Sequence, residues 1–124
     1  MREILFRGKT QQYTRWIYGD LNHYMCDDGV FIAENGYSMH RVFKETVGQF
    51  IGLTDKNGKK IFEGDIVLYV RDEELGQISY RESEAMFVIE FDTWLTDFDH
   101  LYGKDLEVIG NIHDNPELLK GGVE

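Results

Sequence analysis

The side chains able to do chemistry are scattered along this chain. His23, His40, His100 and His113 include none of the close histidine pairs that hold zinc in metalloprotease-type sites. Cys26 is the sole thiol. It can form no intramolecular disulfide, and a Cys-based zinc site would lack its other thiolates. Its expected state is a small, half-buried hydrophobe on a strand; the alternative, a nucleophile, finds no support in its neighbours. Asp97-Phe98-Asp99-His100 is the densest run of ligating types. Extended backbone would put Asp97 and Asp99 on one face and His100 on the other, which suits a solvated acidic loop better than a weak cation site. An EF-hand loop needs a longer array closed by glutamate. Ser38, Ser79 and Ser83 occupy no nucleophile elbow. The stretch from Gly52 misses the phosphate-loop pattern twice: five residues separate Gly52 from Gly58, and Lys60 stands where Ser or Thr belongs. The chain has 23 carboxylates, but no pair is marked out by an apolar pocket for acid–base work. The expectation is a non-enzymatic protein, with no catalytic residue, metal or cofactor assigned.

The elements that would position these groups read as β. A chain of 124 residues with 42% hydrophobic and 14% aromatic content suits one domain with its own core and excludes disorder. Turn signals recur at Gly8, Gly19-Asp20, Asp27-Asp28-Gly29, Glu34-Asn35-Gly36, Asn57-Gly58, Gly64, Gly76 and Gly103. Short β-branched and aromatic runs lie between them, as in a meander, sandwich or barrel. From Met86 to Trp94, Phe87, Ile89 and Phe91 share one face, and Glu90 and Asp92 the other. Leu106 to Ile112 is a strand in which Gly110 predicts a bulge or a close backbone approach. Trp16 and Tyr18, and Val30 to Ala33, mark earlier strands. Ile66 to Val70 is apolar on both faces and is placed centrally. Asn115-Pro116-Glu117 predicts a short C-terminal helical turn, with Asn115 as N-cap, Pro116 at the first helical position, and Leu118 and Leu119 closing one end of the core. Met39 to Glu45 predicts another short helical turn. Arg71 to Glu84 reads as an exposed hairpin tip or mobile loop.

Charge is unevenly placed. Residues 1–60 carry 9 Lys/Arg and 7 Asp/Glu; residues 61–124 carry 4 and 16, and the whole chain is at −10. Phosphate backbones select for positive surface, so the second half is a poor nucleic-acid binder. Its acidity serves solubility, attracts a basic partner or imitates the charge of a nucleic acid. No apolar run reaches the roughly 20 residues of a membrane span, and the charged N-terminus is unlike a signal peptide. The expected location is the cytoplasm.

The segment Gly52 to Val67 contains two corners. Asn57-Gly58 supplies the positive-φ residues of a tight turn, and Asp55 can accept a backbone N–H inside it. Gly64 permits a second change of direction, which Asp65 can hold. The pattern GLxDxNGKxIxEGDIV, the opening Arg2-Glu3-Ile4-Leu5-Phe6-Arg7, and the ending Ile109-Gly110-Asn111-Ile112 with Asn115-Pro116-Glu117-Leu118-Leu119 resemble the YopX family of phages and prophages. The family usually has threonine where this chain has Ile51. The resemblance implies a small SH3-like barrel or roll with added N-terminal strands, residues 1–45 forming a β extension and 46–124 the barrel core of one domain. It implies a phage or prophage origin and supplies no catalytic or binding residues. Gly52, Asp55, Asn57, Gly58, Gly64, Asp65, Gly110 and Pro116 are read as structural requirements.

Function is expected outside that segment. Trp94, Asp97, Phe98, Asp99 and Tyr102 combine aromatics with acids, as protein-binding patches do; the alternative is a loop folded over the barrel mouth. The leading expectation is an accessory protein acting through protein contacts, with a basic host or phage protein, or a second copy of itself, as partner. The alternative is a nucleic-acid-associated module using Arg7, Lys9, Arg15, Lys56, Lys59 and Lys60 of the mildly basic first half. An enzyme of unknown class is a third reading.

Overall fold

Antiparallel pairing organises every strand for which a register is defined in the structure, a computed structural model that describes residues 3–23, 29–92, 94–98 and 103–119. Cys26, Asp99, His100 and Tyr102 lie outside those residues. The chain divides into two units, residues 1–50 and 51–124.

In the first unit, β1 (Phe6–Lys9), β2 (Trp16–His23), β3 (Val30–Glu34) and β4 (Ser38–Val42) form a meander. The start of β5 (Gly48–Thr54) pairs with β1. Inward residues Ile17, Val30, Ile32 and Val42 make the core, with Phe6, Leu21 and Val47 packed on it. The sheet curls until Thr10 bridges Val42. Met39 to Val42, expected as part of a helical turn, is strand. It pairs residue for residue with β3, and only Lys44–Thr46 makes a 3-10 turn. A backbone ladder outweighs weak local helical preference here.

The second unit holds the rest of β5, then β6 (Lys60–Phe62), β7 (Asp65–Tyr69), β8 (Glu74–Arg81), β9 (Met86–Phe91), β10 (Leu95–Thr96) and β11 (Leu106–Asn111). β6 is the neighbour of β5, and the other five run in the order β10-β9-β8-β7-β11. Ile61, Val67, Ile78, Ile89, Phe91 and Leu106 form the core. Ile51, at the position where the family usually has threonine, packs against it with Leu53.

Two expectations change. The barrel does not close: β10 and β11 are the two ends of an open sheet. The outer edge of β11 is occupied by residues 55 and 56 instead, with Lys56 N donating to the Leu106 carbonyl at 2.9 Å. The stretch 74–81, expected as a tip or loop, is strand β8, hydrogen-bonded to both β7 and β9. Its buried positions are Gly76 and Ile78. A Cβ on Gly76 would lie 2.6 Å from Ile89 Cγ2 and 3.0 Å from the Phe91 ring, so the absence of a side chain is what lets β8 pack there.

The double corner is built around two carboxylates. Asp55 is 5% exposed. Its Oδ1 accepts the N–H groups of Asn57 and Lys59, each at 2.9 Å, across the Asn57-Gly58 turn. Its Oδ2 accepts the N–H of Val108, also at 2.9 Å, from β11. Asp65, 1% exposed, accepts the N–H of Phe62 at 2.7 Å across the second corner. Gly52, Gly58 and Gly64 sit at φ +98°, +82° and +94°, values that L side chains avoid. At the end of β11 the register slips between Val108 and Gly110, a bulge. Asn115 does not cap the following turn through its side chain. Its Oδ1 turns back to accept Asn111 N–H at 3.2 Å, and a Cβ on Gly110 would meet that oxygen at 2.6 Å. Pro116–Leu118 is a three-residue 3-10 turn.

Burial alone pushes the Asp55 carboxyl up, but the N–H donors of Val108, Lys59 and Asn57 and the charge of Lys59 outweigh it and hold it below its ordinary 3.8. A carboxylate with a depressed folded pKa contributes stability that is complete above the unfolded value and lost as pH falls through the folded one. Acid unfolding of the wild type is therefore expected to steepen below pH 3.8, and Asp55→Ala to flatten that part of the curve. At neutral pH this variant should lose about 3 kcal/mol in chemical denaturation, because it leaves buried amides unpaired. A second expectation concerns packing: Gly76→Ala should cost about 1–3 kcal/mol by overpacking against Ile89 and Phe91, measured the same way.

Candidate protein-contact groove

Three of the five residues expected to form a contact patch are described, and the fold separates them. Trp94 follows β9 and folds back on it. Its ring stacks on Phe91 at 4.5 Å between centroids and 16° between planes. Its Nε1–H is 3.3 Å from both carboxylate oxygens of Glu74 on β8. The Phe91 N–H donates to the Trp94 carbonyl at 2.7 Å, closing the turn. Trp94 stays 40% exposed, so it presents one ring face outward while the other is fixed. Phe98 is instead packed against the core of the second unit. Asp97 lines a shallow depression of about 310 Å³ with Arg81, Met86 and Leu95. Asp99 and Tyr102 fall outside the described residues.

Phe91 and Glu74, the two partners of Trp94, also line a larger groove of about 510 Å³. Leu75, Phe91, Leu118 and Leu119 give it apolar surface; Glu73, Glu74, Glu90 and Asp92 give it four carboxylates, and among the described residues no Lys or Arg lines it. Leu119 is 39% exposed. Leu118 and Leu119 thus serve the groove, where they were expected to close the core. Glu90 is steadied by Ser79, whose Oγ–H donates to it at 3.0 Å.

Sequence reasoning found the wet face of β9 with Glu90 and Asp92, but missed Glu73, Glu74 and Leu75. The signal for them is the pairing of β8 with β9, in which Gln77 faces Glu90, and it becomes visible only once β8 is recognised as a strand. Among the described residues, no three or more His, Cys, Asp or Glu side chains are grouped to hold a metal. No helix among them is long and apolar enough to cross a membrane.

Two antiparallel sheets, with a carboxylate-held double corner in the second unit, define a small β-sheet protein with an acid-lined groove. The chain belongs to the YopX family, whose model, described as YopX protein, matches residues 5–120. It is 25% identical over 123 residues to the SPbeta prophage-derived uncharacterized protein YopX of Bacillus subtilis strain 168, covering 83% of this chain and 92% of that one. Its fold is similar to the crystal structure of protein EF1440 from Enterococcus faecalis, with a TM-score of 0.60, 26% identity, and coverage of 96% of this chain and 99% of that one.

The Trp94–Phe91 stack sets an expectation of its own. Trp94→Ala should lower stability by about 1 kcal/mol. Trp94→Phe, which keeps the stack and loses the bond to Glu74, should recover most of that. Urea titrations of the two variants measure the difference.

Proposed function

We propose that this is a prophage accessory protein without enzymatic activity, working in the host cytoplasm by holding a basic partner in the groove of its second unit. One observation carries this reading: four carboxylates surround apolar surface in one groove, and a half-exposed tryptophan stacks on Phe91 of its lining. Apolar surface supplies affinity, an aromatic anchor concentrates it, and a rim of one sign selects the partner's charge. A Lys- or Arg-rich segment of a host or phage protein fits that chemistry. The prophage setting is carried over from the Bacillus subtilis relative's description. We read the second unit as an open SH3-like roll, supported by its antiparallel order and sharp double corner. Self-association is the second reading of the same surface. It is favoured only if a partner copy offers cations to the groove, such as those of residues 1–60, where Lys and Arg outnumber Asp and Glu 9 to 7.

The test is recovery of partners from host lysate by the wild type and by a Glu74→Lys/Glu90→Lys variant. Specific proteins should be retained at low salt, released at high salt, and absent from the variant. Recovery of the same proteins by the variant, or of none at low salt by the wild type, would sink the proposal. A solution mass at several concentrations separates self-association from a foreign partner.

A further inference from the structure

The chain has two tryptophans, and their surroundings are opposite in charge. Trp16, in the first unit, has cations supplied from its own chain. The Arg7 guanidinium lies 4.8 Å from its ring centroid and the Lys9 ammonium 5.8 Å. Both fall inside the roughly 6 Å at which a cation is drawn to an aromatic face. Trp94, in the second unit, has an acid beside it instead. Phe91 covers one face of the ring, Glu74 accepts from its nitrogen, and the residue is still 40% exposed. Among the described residues no cation lies over the Trp94 ring. Phe91 and Glu74 both line the acidic groove, so the ring adjoins it.

The carboxylates of the groove match the ring in this respect. Glu74 meets the indole N–H and Glu90 meets the Ser79 hydroxyl, and both donors are neutral. Among the described residues, none of Glu73, Glu74, Glu90 and Asp92 forms an ion pair. A carboxylate has about four acceptor sites, so Glu74 retains capacity beyond its bond to the indole. Its charge at the ring's edge adds to the ring's own pull on a cation above the outer face. The stack on Phe91 and the bond at Nε1 hold the ring at two points. The outer face is therefore set in place before anything binds.

The two basic side chains differ in how they meet such a surface. A guanidinium is planar and weakly hydrated. It lies flat on an aromatic ring and still donates from its edges to a carboxylate. An ammonium is a compact, strongly hydrated point charge that gives up more water and has no flat face. We propose that the outer face of Trp94 is an arginine site: a basic partner lays one guanidinium on the indole, turns its edge donors to Glu74, and sets apolar residues on Leu75, Leu118 and Leu119 of the groove. This rests on reading the groove as the cradle of a basic partner, and it names the side chain that partner must present.

Fluorescence anisotropy on the full chain tests this with two labelled peptides. They share length, leucine content and the positions of their basic residues; one carries arginine there and the other lysine. At low salt the arginine peptide should bind about tenfold tighter. Trp94→Leu, which keeps apolar bulk and loses the aromatic face, should remove that preference and leave the lysine peptide's affinity where it was. Trp94→Phe, which keeps the stack on Phe91, should show an intermediate preference. Equal affinity of the wild type for the two peptides, with both lost in Glu74→Lys/Glu90→Lys, would overturn the arginine site and leave the groove reading standing. So would a preference that both Trp94 variants leave intact. No saturable binding of either peptide at low salt, or binding that Glu74→Lys/Glu90→Lys does not weaken, would bring down both.

Discussion

One buried carboxylate ties the second unit together. Asp55 spends one oxygen on its own turn and the other on Val108, a residue 53 positions away. A carboxylate is costly to bury unless donors surround it, and here three amides do so. Charge-assisted bonds of this kind are among the stronger ones a fold can make. They fix the tight turn, and they fix β11 against it. β11 in turn completes the sheet that β7 begins, and the core residues Val67 and Leu106 lie on those two strands. Asp65 repeats the device on a smaller scale at the next corner. The family pattern is therefore a set of backbone requirements: glycines where φ is positive, and acids where amides would otherwise go unpaired.

Local pattern made much of this readable. Strict alternation placed β9 and the wet face with Glu90 and Asp92, and a two-sided apolar run placed β7 inside the sheet. The Asn57-Gly58 turn and the Asp65 corner follow from turn chemistry alone. What escaped notice depends on distant pairing. β8 hides because one of its two buried positions is Gly76, and glycine reads as a turn; its partner strands are what make it a strand. β4 hides because Met39 and Arg41 face outward, leaving few inward apolar residues to show a period of two. The bond from Asp55 to Val108 has no local signal at all. The groove was half legible for the same reason: its β9 side is local, and its β8 side is not. Phe98 shows the converse error, since an aromatic between acids looks like a surface anchor until the core claims it.

The two units divide their chemistry. The first carries an exposed tyrosine, Tyr13, two residues from Arg15, on a loop held by the hydrogen bonds of the buried Thr10. The second carries carboxylates around apolar surface, with a tryptophan pinned by a ring on one side and an acid on its N–H. In both, an aromatic side chain is displayed by a specific local restraint: a Thr10 clamp in one case, a Phe91 stack in the other. Restraint of this sort lowers the conformational entropy lost when a partner binds.

The occupation of β11 by residues 55 and 56 bears on whether this sheet can be extended by another chain. An edge strand with unspent N–H and C=O groups is a template for another chain, and from there for fibrils. On β11 the Val108 donor and the Leu106 acceptor are already taken, by a side chain and a backbone amide of the same molecule. At the opposite end of the sheet, β10 is only two residues long, too short to seed a ladder. The carboxylate that shapes the corner thus also makes the five-stranded sheet a poor monomer unit for β-polymerisation, and its loss would expose a growing end as well as loosen a fold.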